Sequence, residues 1–76
     1  MKLPMGRPFG EELLSHIKGS VHSATHGRVY DFHVELSEEK VVLRGRARTH
    51  YAKQLAQHAT RSIVTKQMLV NAIEVG

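Results

Sequence analysis

The sequence predicts an α+β fold, a two-layer sandwich in which two helices pack on one face of a three-stranded mixed sheet, in the order αββαβ. Three observations point there. Apolar residues recur at steps of three and four over 11–24 and again over 52–63. Between these stretches, and again after them, the apolar period falls to two. The chain has 76 residues, which leaves room for one domain and one small core.

Residues 1–9, MKLPMGRPF, hold both prolines and read as a flexible lead-in, so the domain is expected over 10–76. Leu13, Leu14, Ile17, Val21 and Ala24 then form one apolar stripe. Glu11 and Glu12 suit the positive end of a helix dipole, and Gly27 suits its stop. The first helix is therefore expected over 11–24, weakened in its middle by Gly19 and Ser20.

From residue 28 the alternation predicts a strand with Tyr30, Phe32, Val34 and Leu36 on the core side. Val29, Asp31, His33 and Glu35 are expected on the other side. Ser37-Glu38-Glu39-Lys40 is polar and short enough to close a hairpin. In the second strand Val41, Leu43, Gly45 and Ala47 share the core side, and Val42, Arg44, Arg46 and Arg48 the open side. Thr49 is an N-cap candidate for a second helix, whose apolar positions are Ala52, Leu55, Ala56, Ala59 and Ile63. Thr65-Lys66-Gln67 breaks it, and Leu69, Asn71, Ile73 and Val75 alternate as a third strand. A crossover through the second helix places that strand parallel to the second.

Several of these patterns resemble the BON domain, the family of bacterial osmotically induced and nodulation proteins. The family's second strand reads roughly V-x-L-x-G-x-V, and Val41, Leu43, Gly45 and Ala47 stand in those places. Its last strand often reads V-x-N-x-L-x-V, matched by Leu69, Asn71, Ile73 and Val75. The resemblance spans 11–75. It departs at Ser37–Lys40, where the family tends to a tight Asp-Gly turn, and at Ile63–Gln67, where it tends to Gly-Val. It implies a non-catalytic module, usually of the bacterial envelope, that attaches to phospholipid surfaces or to other proteins.

The composition bounds the chemistry. There is no cysteine, so neither disulfides nor thiolate ligands are available. Eleven Lys and Arg against seven Asp and Glu give a net charge of +4, and six histidines would add to it in acid. No export signal is legible in MKLPMGRPFGEELL, which favours the cytoplasm or a peripheral membrane position; the family resemblance favours the envelope. No nucleophile elbow, H-E-x-x-H motif or glycine-rich phosphate loop occurs, so no catalytic residue, metal or cofactor is expected.

The candidate site is a basic surface for anionic phospholipid, built from Arg44, Arg46 and Arg48 on the strand with Lys53 and Arg61 on the second helix. Guanidinium forks suit phosphates. Cross-strand Asp31 and Glu35 are expected to neutralise part of that charge. Gly45 and Asn71 are expected to be structural, Gly45 because the alanine-rich helix approaches the sheet there. A protein partner is the alternative. Val42 stands apolar among polar neighbours, Tyr51 and Val29 are expected to extend that patch, and an open sheet edge invites a second copy. Base stacking on nucleic acid is not expected, because the alternation puts both aromatics of the first strand in the core; weak electrostatic binding to a nucleic-acid backbone is the second alternative.

Overall fold

The computed structural model describes residues 10–76, so the lead-in expected over 1–9 lies outside the described residues. Helix α1 spans Glu11–Thr25, strands β1 and β2 span Val29–Leu36 and Lys40–Ala47, helix α2 spans His50–Arg61, and β3 spans Met68–Val75. The sheet order is β1-β2-β3, with β1 antiparallel and β3 parallel to β2. The fold is the α+β sandwich the periodicity predicts.

Each boundary has a local cause. Helix α1 ends where His26 and Gly27 take positive φ, and the Gly27 N–H donates to the His22 carbonyl at 2.9 Å. The hairpin closes through the Ser37 N–H to the Lys40 carbonyl, and Ser37 Oγ accepts from the Lys40 N–H at 3.1 Å. Thr49 caps α2 as expected: its hydroxyl accepts from the Ala52 N–H at 3.1 Å, a bond whose loss would cost about 1 kcal/mol.

The core lies between the helices and the sheet. Ile17 and Val21 of α1, Val41, Leu43 and Ala47 of β2, Ala52 and Ala56 of α2, Val64 and Ile73 are all buried. Small alanines on α2 let it lie close to the sheet. Two buried threonines close their own turns: Thr25 donates to the Val21 carbonyl and Thr60 to the Ala56 carbonyl. No polar side-chain atom buried among the described residues lacks a partner. Val64 and the threonines escape the sequence pattern, Val64 because it lies just past the turn that ends the helix and belongs to neither periodicity.

The predicted faces of β1 hold only in part. Val34 pairs with Leu43 and Leu36 with Val41 on the helix side, while His33 pairs with Arg44 and Glu35 with Val42 on the open side. Between Tyr30 and His33 the register slips. Asp31 takes φ 53°, and Asp31 and Phe32 together stand opposite Gly45. This is a β-bulge, and one extra residue inverts the alternation before it. Phe32 stays packed on the core, but Val29, paired with Ala47, turns inward, and Tyr30, paired with Arg46, turns out. The expectation that Tyr30 is a core residue and Val29 part of an outer patch is therefore corrected.

Gly45 is corrected in its reason. It has φ 150°, and a Cβ there would lie 2.9 Å from the Tyr30 carbonyl oxygen and 3.2 Å from both the Asp31 oxygen and Phe32 Cα. What demands a glycine is the bulged backbone of β1, not the approach of α2.

Candidate functional site

No described segment covers the outer face of the sheet, because both helices pack on the other side. Strand alternation sets out its residues. Tyr30, His33 and Glu35 come from β1; Lys40, Val42, Arg44 and Arg46 from β2; Met68, Val70, Ala72 and Glu74 from β3. Arg48 continues the series one step past β2.

The middle of this face is apolar. Val42 is only 7% exposed although it points away from the helices, with Glu35 and Val70 as its cross-strand neighbours. Val70 and Ala72 extend this strip along β3 to the exposed Met68. Tyr51 does not belong to it: it sits on α2, where it lines an open groove with Leu55, Ala24 and Ala59.

The five basic residues expected to act together divide. Arg44 is tied to Glu35, Nε to Oε2 at 2.8 Å, with both side chains more than half exposed (53% and 59%). Such a pair contributes under about 1 kcal/mol, but it removes Arg44 as a free cation. Arg46 and Arg48 form no ion pair among the described residues. Asp31, expected to share in neutralising them, sits in the bulge and forms none either.

Lys53 and Arg61 belong to the other layer. Lys53 is half-buried on α2, and its carbonyl accepts from Asn71 Nδ2 at 3.0 Å; Arg61 is exposed in the last turn, near the negative end of that helix. Both therefore belong to the helix layer and not to the face that carries Arg46 and Arg48.

Tyr30 is what sequence reasoning missed. The residue is 45% exposed, and the Arg48 guanidinium lies over its ring, 5.8 Å from the centroid. Arg46 is its direct cross-strand partner. The legible signal was the pair Asp31 and Gly45: a residue that tolerates left-handed φ opposite an in-strand glycine marks a bulge.

Asn71 ties β3 to α2. Besides Lys53, its amide donates to Gln57 Oε1 at 3.2 Å, and its Oδ1 accepts from the Ile73 N–H at 3.2 Å. The Met68 and Gly76 N–H groups donate towards β2, so by alternation the Ile73 N–H faces the free edge. Asn71 thus satisfies one of the edge donors through which a second copy was expected to pair.

No helix among the described residues is long and apolar enough to cross a membrane, and no three His, Cys, Asp or Glu cluster there to hold a metal ion. No family model matches the chain, and neither a curated protein nor a solved structure is found similar to it.

Proposed function

We propose that the protein is a non-catalytic binding module that docks on anionic phospholipid surfaces, alone or as part of an envelope-linked complex, through the Arg46–Arg48 end of its open sheet face. The observation that carries this reading is that both guanidinium groups stand on an uncovered face without an ion pair among the described residues. The BON-like pattern of β2 and β3 supports the same class of ligand.

The charge on this face sets the strength. Lys40, Arg44, Arg46 and Arg48 stand against Glu35 and Glu74, with Asp31 in the bulge beside them. Glu74 lies cross-strand from Arg46, so the excess is small. Each basic residue near an anionic bilayer contributes about 1 kcal/mol, and the attraction decays within a Debye length. The expected docking is weak, reversible and sensitive to salt.

Cosedimentation tests it with vesicles containing phosphatidylglycerol and with phosphatidylcholine alone, at low and high salt. The protein should pellet with the anionic vesicles at low salt only. Replacing both arginines, Arg46→Gln with Arg48→Gln, should weaken that binding about thirtyfold, the sum of two such contributions. Pelleting that ignores lipid charge and salt, or that the double variant leaves intact, contradicts the reading.

A further inference from the structure

We infer that the corner formed by Tyr30, Arg46 and Arg48 is a binding site for single-stranded nucleic acid, with Tyr30 as the platform on which one base stacks and the two arginines as its phosphate contacts. The starting point is the backbone. Asp31 is a non-glycine residue at φ 53°, and Gly45 opposite it stands at φ 150°. Two positive-φ residues facing each other across two strands make the most unusual stretch of the sheet. Its main consequence is to put one ring on an open surface. A two-residue rhythm without the bulge would turn Tyr30 towards the core side of the sheet. Bulges are concentrated where a side chain must be re-aimed.

The ring stands in the right company. Every base has a π face, so an exposed tyrosine binds bases without regard to sequence. Arg46 lies directly across the strand from the ring, and the Arg48 guanidinium rests over its face, so an incoming base takes that face as Arg48 swings outward to a flanking phosphate, with Arg46 in reach of the other. Beside them Ala72 is the small open-face neighbour of Arg44 on β3, which leaves the strand's path over the sheet low. Glu35, already held by Arg44, lies towards the opposite end of β1. One ring supports one stacked base, so affinity should be modest and largely independent of sequence.

This inference does not rest on the phospholipid reading. Vesicle docking needs the arginines, whereas base stacking also needs the ring. The test is fluorescence anisotropy with a labelled oligouridylate of roughly ten nucleotides, within the range that single-strand grooves accommodate. Wild-type protein should bind it. The logarithm of the association constant should fall with the logarithm of salt with a slope of about −1.4, two phosphate contacts at about 0.7 each. Tyr30→Ala should weaken binding by roughly five- to a hundredfold, while Tyr30→Phe, which keeps the π face, should stay within about twofold of wild type. Arg46→Gln should reduce the slope by about 0.7. Because Tyr30 lies outside the core, these variants should keep the wild-type thermal melt. Absence of oligonucleotide binding by the wild-type protein overturns the inference, whatever the vesicles do. So does a Tyr30→Ala variant that binds as well as wild type, since the face would then be only a charged surface.

Discussion

The two ends of the β1–β2 hairpin obey different rules. At the turn end, Val34, Leu36, Val41 and Leu43 pair on the helix side and Glu35 meets Arg44 on the open side. Charge is matched there, the backbone is regular, and alternation alone assigns every side chain. At the far end one extra residue inverts β1, so that Val29 and Tyr30 exchange faces. There the two cations form no ion pair among the described residues and the backbone adopts two positive φ values. The regular end carries the marks of stability, and the irregular end carries an aromatic ring and unpaired charge that packing alone does not require. That asymmetry is the reason we propose the irregular end as the binding end.

The largest effect should come from breaking the bulge. Gly45→Val sets a Cβ against the Tyr30 carbonyl and forces a branched residue to φ 150°. It should lower stability by about 2–4 kcal/mol in chemical denaturation, with loss of the open-face site as a consequence of misfolded β1. Asp31→Gly, in contrast, relieves the left-handed residue and should shift stability by less than about 1 kcal/mol, since the freed native strain is offset by a more flexible unfolded chain. A Gly45→Val variant that melts like wild type would show that the bulge is not needed.

A smaller change sharpens the comparison. Glu35→Gln releases Arg44 at the regular end. Both side chains are more than half exposed, so stability should change by less than about 1 kcal/mol. Binding to phosphatidylglycerol vesicles should tighten by up to about fivefold, the contribution of roughly one added free cation. If it does not change, the position of the arginines matters more than their number.

Most of the architecture was legible in the sequence, because it rests on periodicity. The switch from steps of three and four to steps of two located both helices and all three strands, and Thr49 marked the start of α2. The candidate site was legible only by half. Alternation along β2, which has no bulge, correctly puts Arg46 on the open face, and Arg48 continues the series one step beyond the strand. Lys53 and Arg61 were grouped with them by sign of charge, which says nothing about the layer a helix occupies. Tyr30 was misplaced because alternation propagates one parity along a strand, whereas a bulge resets it. The reset was written in two residues on different strands, Asp31 and Gly45, whose meaning appears only when they are seen as partners across the hairpin.

The direction of the Tyr30 ring decides between the two arrangements of β1. Nuclear Overhauser contacts in the isotope-labelled wild-type protein decide this without any substitution. Contacts from the Tyr30 ring protons to the side chains of Arg46 and Arg48, and none to the methyl groups of Val21 or Leu43, are the expected result. Contacts to Val21 and Leu43 instead would restore an unbroken two-residue rhythm to β1 and leave the open face without its ring.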